Sequence, residues 1–289
     1  MRQWFAGARP RTLPAAVVPV IIGAASIPDG TSLDGTVVTN VLLALVVSLA
    51  LQVAVNYAND YSDGVKGTDA QRAGPTRLVG GRLAEPSAVR RAAFVSFAVA
   101  AIVGVLLAVR TSLWLVPIGI ACVVAGWTYT GGPRPYGYAG LGELFVFIFF
   151  GLVATVGTTF VASGDITVLS ILSGCVAGFL ACALLLVNNI RDIDGDRASG
   201  KRTLAVRLGS NVARWMYVSC YVAAAVIIVA AASREILALI GLVGLLAALP
   251  AIATVRTAQR TDQLVAALAM TARVQLIVGL LYALGLVIQ

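Results

Sequence analysis

The sequence predicts an all-α, polytopic membrane protein of nine transmembrane helices, and three observations carry that reading. Hydrophobic residues make up 59% of the 289, against 12% that are charged. Mean hydropathy is +0.92, and apolar runs long enough to cross a bilayer recur from one end of the chain to the other. Lysine and arginine gather in alternate loops, as expected of a chain threaded back and forth through a membrane. Residues 1–289 therefore read as a single integral-membrane domain.

The segment Met1 to Pro10 carries Arg2 and Arg9 and runs into apolar sequence without a small-residue cleavage site, so no signal peptide is expected. The first span, 12–28, contains Pro14 and Pro19, which transmembrane helices tolerate. The second, 37–57, ends in Asn56-Tyr-Ala-Asn59-Asp60-Tyr-Ser-Asp63 and opens into a long polar loop, about 58–88. Spans 89–109 and 113–130 follow, the latter running into Tyr129-Thr-Gly131-Gly132-Pro-Arg134-Pro-Tyr136-Gly137-Tyr138. Span 141–163 opens with Glu143, and span 167–187 ends in Asn188-Asn189-Ile-Arg191-Asp192-Ile-Asp194-Gly-Asp196, ahead of a second long loop, 188–212. Spans 213–232, 236–255 and 265–288 complete the chain; Arg256 and Asp262 read as ordinary loop charges.

With the N-terminus in the cytoplasm, every Lys and Arg except Arg110, Arg234 and Arg273 lies in a cytoplasmic segment, and the C-terminus lies outside. The net charge of +8 thus reports topology in the cell membrane rather than nucleic-acid binding. The chain has no histidine, which excludes His-based acid/base catalysis and His-ligated zinc or haem. Cys122, Cys175, Cys182 and Cys220 sit inside apolar runs without metal-ligand spacing and read as small buried hydrophobes.

Both Asn/Asp patches then fall on the cytoplasmic face. The chain has only 13 acidic residues, and Asp60, Asp63, Asp69, Asp192, Asp194 and Asp196 are concentrated in or just after these patches. Isolated acids at membrane depth are costly and mark chemistry more often than architecture. Val55-Asn56 parallels Val187-Asn188 and Asp60 parallels Asp192, with four spans between the copies, so the repeat is parallel. Helical spacing places Asn56, Asp60 and Asp63 on one stripe, and Asn188, Asp192 and Asp196 on another. Two such stripes facing each other need a cation between them. Oxygen ligands without Cys or His suit Mg²⁺, which is usually shared with substrate phosphates, so a di- or triphosphate is the natural ligand.

Lys66, Arg72 and Arg77 follow the first patch, Lys201 and Arg202 the second, and Arg134 lies in a short loop on the same face. They suit an anionic substrate, although the positive-inside rule or lipid headgroups also account for such cations. Tyr129 can offer its ring face to a developing cation; an interfacial aromatic belt is the plainer alternative. Arg11 and Glu143 are candidates for orienting a second substrate, with Glu143 expected to face the cavity.

These motifs together resemble the UbiA superfamily of intramembrane aromatic prenyltransferases, over the whole chain. Ala8-Arg-Pro-Arg-Thr-Leu-Pro14, the run from Asn56 to Asp69, Gly74-Pro-Thr-Arg-Leu-Val79, the run from Tyr129 to Tyr138, Asn188-Asn-Ile-Arg-Asp-Ile and the run from Lys201 to Gly209 are similar to the MenA-like branch, the 1,4-dihydroxy-2-naphthoate polyprenyltransferases. The resemblance implies helices around a central cavity open sideways to the lipid bilayer. It implies Mg²⁺ on Asp60, Asp63, Asp192 and Asp196, with Asn56 and Asn188 completing the shell. Lys66, Arg77, Arg134 and Lys201 would meet diphosphate oxygens, and Tyr129 the allylic cation. Arg134 departs from the lysine usual in the family, and the two residues bind phosphate differently. The implied substrates are polyprenyl diphosphate and dihydroxynaphthoate, the implied products diphosphate, CO₂ and demethylmenaquinol. No obligate protein partner is called for. Another acceptor (4-hydroxybenzoate, homogentisate, haem or a sugar phosphate), an ion-coupled transporter and a non-catalytic scaffold remain the alternatives.

Overall fold

The computed structural model describes residues 2–67 and 77–288; Asp69, Arg72 and Gly74-Pro-Thr76, singled out above, lie outside the described residues. The described chain is all-helical. Its helices are α1 (Arg2–Gly7), α2 (Pro14–Ala25), α3 (Gly35–Lys66), α4 (Pro86–Arg110), α5 (Leu115–Thr128), α6 (Gly142–Ser163), α7 (Val168–Ala198), α8 (Leu204–Leu208), α9 (Ser210–Ala231), α10 (Ile236–Thr257) and α11 (Thr261–Val287).

Seven of these, α3, α4, α6, α7, α9, α10 and α11, are long and apolar enough to cross a membrane. The other two expected spans are shorter. The helix expected over 12–28 is α2, of 12 residues, entered through a 3₁₀ turn at Pro10–Thr12 and capped by Ser26. The helix expected over 113–130 is α5, of 14 residues. At 1.5 Å per residue these reach roughly 18–21 Å, short of a hydrocarbon core of about 30 Å.

The opposite departure occurs in α3 and α7, which run to 32 and 31 residues, straight through the acid patches that hydropathy assigns to loops. The Asp34 carboxylate starts α3 by accepting the N–H groups of Thr36 and Val37 at 2.8 and 3.0 Å, and Gly67 ends it in a left-handed turn at φ +73°. A Thr167/Ser170 capping box starts α7. Residues 58–66 contain neither proline nor any other helix breaker than Gly64, so the helix continues once the hydrocarbon ends.

Packing divides the described helices into two groups around an interior space. One core joins α7, the most buried of the seven long helices, to α2, α9, α10 and α11. The other joins α3 to α4, with Leu78, Tyr57 and Phe97 at its centre and Val123 and Trp127 of α5 against it. Small residues allow the close crossings, as is usual between membrane helices. A Cβ on Gly151 would lie 2.5 Å from the Cα of Gly178. Helix α6 carries a π-helical stretch, Phe147–Val153, where it crosses α7. Helix α5 packs on α3 and α4, and faces α6 across the interior space.

Candidate active site

The space between the two groups is a cavity of about 1220 Å³. Its body is walled by apolar side chains of α3 to α7, and one end is polar, where α3 and α7 terminate. From α3 this end receives Asn56, Asn59 and Asp63; from α7 it receives Asn188, Asn189, Arg191, Asp192 and Asp196. Arg9, Arg77, Tyr129, Tyr138 and Lys201 reach it from the connecting segments.

Lys201 holds the two patches together. Its Nζ lies 2.9 Å from Asp63 Oδ2 and 3.9 Å from Asp196 Oδ1, so one ammonium faces carboxylates from both helices. The Tyr138 hydroxyl donates to Asp63 Oδ1 at 2.7 Å, and the Lys66 and Lys201 ammoniums both lie 4.7 Å from the centre of the Tyr138 ring. Lys66 donates to the Thr130 carbonyl at 2.8 Å, and the Thr130 hydroxyl to Asn59 Oδ1 at 2.8 Å. On α7, Arg191 grips Asp192 with two bonds of 2.7 and 2.6 Å, and its Nη2 also donates to Asn188 Oδ1 at 2.8 Å. Asp194 is exposed and pairs with the surface side chain of Arg197 at 3.8 Å.

An aromatic wall adjoins this end. Tyr129 meets Tyr136 edge-on at 5.4 Å, Tyr136 stacks on Phe145 at 4.0 Å, and Phe149 follows at 6.0 Å. Burial pushes the Tyr136 phenol above its ordinary value, so it stays neutral at physiological pH. The turn that brings these rings together needs Gly137, whose Cβ would lie 2.6 Å from the Tyr129 carbonyl oxygen.

Several expected site residues are placed differently. The cavity stripe of α3 is Asn56, Asn59 and Asp63, whereas Asp60 points to a neighbouring face, accepting the N–H groups of Leu78 and Val79 at 2.9 and 3.0 Å. Asn56 lines the cavity, but its amide donates to the Ala8 carbonyl at 2.8 Å and to Thr12 Oγ1 at 3.1 Å, tethering the N-terminal segment. Arg11 is exposed and does not line the cavity; Arg9, in a left-handed turn at φ 53°, does. Arg134 is likewise exposed outside the cavity, beside a turn through Gly132 at φ +76°. Glu143 is buried behind the cavity wall: its Oε1 accepts from Asn189 at 2.9 Å, and its Oε2 has no hydrogen-bond partner among the described residues. Asn59, Asn189, Arg9 and Arg191 join the site without having been singled out. Asn59 alone carried a usable signal, as the residue one helical turn before Asp63.

Among the described residues no three acids come close enough to hold a metal ion by themselves. The donor set still fits Mg²⁺. Two carboxylates from opposite helices already share one cation through Lys201, and Mg²⁺ needs only one or two carboxylates when phosphates supply the rest.

The model of the UbiA prenyltransferase family matches residues 16–287. A 1,4-dihydroxy-2-naphthoate octaprenyltransferase of Mycobacterium tuberculosis is 48% identical over 74% of this chain and 73% of its own. The protein of that name from Haemophilus influenzae is 33% identical over 100% of this chain and 96% of its own. Among solved structures, an apo UbiA homolog from Aeropyrum pernix superposes with a TM-score of 0.68 at 18% identity, covering 93% of this chain and 94% of that one. A UbiA homolog from Archaeoglobus fulgidus bound to DMAPP and Mg²⁺ gives 0.59 at 13% identity, with 99% of each chain covered.

Proposed function

The chain belongs to the UbiA prenyltransferase family, and from that premise we propose that it transfers a polyprenyl group from polyprenyl diphosphate to 1,4-dihydroxy-2-naphthoate, with loss of CO₂, as a step of menaquinone biosynthesis. The observation that carries the reading is the pair Asp63 and Asp196, drawn onto one shared ammonium at the polar end of a large apolar cavity. A diphosphate head and a long hydrocarbon tail match those two ends. The naphthoate acceptor rests on the relatives that carry that activity in their names.

In this reading Asp63, Asp192 and Asp196 would hold Mg²⁺, with Asn59 and Asn188 beside them, and the metal would supply positive charge to offset that of the departing diphosphate. Lys66, Arg77 and Lys201 meet the diphosphate oxygens, strengthening as negative charge builds when the allylic C–O bond breaks and its electron pair leaves with diphosphate. Tyr129 turns its ring to the allylic carbon, where positive charge develops. The apolar walls keep water away until a ring carbon of the acceptor captures that cation and the acceptor carboxylate leaves as CO₂. Asn189, held by Glu143, and Arg9 supply polar contacts for the acceptor at the same end of the cavity. The setting is the cell membrane, with the site on the cytoplasmic face.

Membranes bearing the chain are expected to release diphosphate from a polyprenyl diphosphate only when Mg²⁺ and dihydroxynaphthoate are both supplied. A panel of aromatic acceptors, read by the mass of the prenylated product, tests the choice; efficient use of 4-hydroxybenzoate or homogentisate instead would overturn it.

A further inference from the structure

Helix α3 presents two different stripes to two different partners. Asn56, Asn59 and Asp63 face the cavity. Tyr57, Asp60 and Gly64, at the same spacing but rotated by about 100°, face the segment that follows residue 76. Asp60 and Gly64 meet that segment directly. The Asp60 carboxylate, 1% exposed, accepts the successive N–H groups of Leu78 and Val79, one on each oxygen. Leu78, also 1% exposed, packs in the same apolar cluster as Tyr57. Gly64 lets Val79 settle directly on the helix, since a Cβ there would lie 2.5 Å from its side chain. The residue immediately before this anchored pair is Arg77, which lines the cavity.

We propose that Asp60 is a positioning residue rather than a metal ligand: by fixing the backbone at Leu78 and Val79 it sets the place of Arg77 at the diphosphate end of the cavity. A carboxylate is the side chain that can accept two adjacent backbone N–H groups with its two oxygens, and an amide of the same shape can accept only one of them. Charge-assisted bonds of this kind are strong and directional, so they locate a backbone more narrowly than apolar packing does. The role rests on the diphosphate reading given above and concerns a residue that does not line the cavity.

The test compares Asp60→Asn, Asp63→Asn, Arg77→Ala and the double variant Asp60→Asn/Arg77→Ala, each in the full chain in membranes. Three quantities are measured: the KM for polyprenyl diphosphate, the inhibition constant of inorganic diphosphate with Mg²⁺ saturating, and the Mg²⁺ concentration giving half-maximal rate. Asp60→Asn is expected to weaken diphosphate about tenfold while leaving half-saturation by Mg²⁺ unchanged. Asp63→Asn is expected to raise that Mg²⁺ concentration. The double variant is expected to bind diphosphate no more weakly than Arg77→Ala alone, since a positioning residue has nothing left to position. A rise in the Mg²⁺ requirement of Asp60→Asn matching that of Asp63→Asn overturns the proposal, as does full additivity in the double variant. Should Asp60→Asn fail to fold, Leu78→Ala loosens the same anchor with all the carboxylates intact, and wild-type diphosphate affinity in that variant overturns the proposal equally. Failure of inorganic diphosphate to inhibit the unaltered chain would overturn the diphosphate reading itself, a result distinguishable from all of these.

Discussion

Asp63 and Asp196 reach the same ammonium from helices that do not otherwise pack along each other, so Lys201 ties the two helices together at the polar end of the cavity. Replacing Lys201 with glutamine leaves two facing carboxylates without that cation. Without added Mg²⁺, Lys201→Gln is expected to melt about 2–4 °C below the unaltered chain and to recover more of its stability when Mg²⁺ is added. Thermal unfolding in detergent, with chelator and with metal, measures both. Asp63→Asn removes a carboxylate from the reacting end, and a fall in turnover on the order of 100-fold is expected in the prenyl-transfer assay. At this scale the sequence was partly readable. The acids, Lys66, Arg77 and Lys201 were all visible as scarce charges next to apolar runs. What spacing could not provide was the rotation of α3: Asn56, Asp60 and Asp63 obey the helical rule as well as Asn56, Asn59 and Asp63 do. Only the docking of Leu78 and Val79 chooses between them. The exchange of Arg11 for Arg9 was equally hidden, because it depends on a left-handed turn between residues of identical chemistry.

The helices themselves show which boundaries hydropathy can see. Seven long helices coincide with apolar runs because both are consequences of the same hydrocarbon thickness. Helices α3 and α7 overrun those apolar stretches, since a backbone already helical continues into polar sequence until a glycine or a cap stops it. Helix α6 departs from regularity at Phe147–Val153, a stretch with no proline to announce it. There Gly151 meets Gly178 and Gly174 of α7, and a Cβ on Gly178 would lie 2.7 Å from the Phe147 ring. Gly151→Ala is expected to lower stability by about 1–3 kcal/mol through overpacking, seen as earlier unfolding in a denaturant titration of the detergent-solubilised protein. Gly157, on the same helix, also lines the cavity but has nothing within 4 Å of its added Cβ. Gly157→Phe should therefore fold normally and fill the cavity instead. The expected outcome is a shift in preference toward shorter polyprenyl diphosphates, measured as kcat/KM across a series of tail lengths.

For the molecule as a whole, charge distribution was the most informative signal, because topology depends on where cations lie and hardly at all on how helices pack. It predicts that a reporter fused to the C-terminus reads as external and one fused to the N-terminus as cytoplasmic, which paired fusions check directly. The way the helices divide around an interior space was not readable, as it depends on which small residues meet across which crossings. That division has a consequence for traffic. A chain-like lipid rests in a bilayer with its head at the water boundary and its tail in oil. The cavity repeats that gradient, polar where α3 and α7 end and greasy between α5 and α6. A guest of this shape would fit the cavity at the depth it already holds in the leaflet, neither lifted into water nor turned over. The protein then need only recognise what it receives, while the membrane performs the delivery.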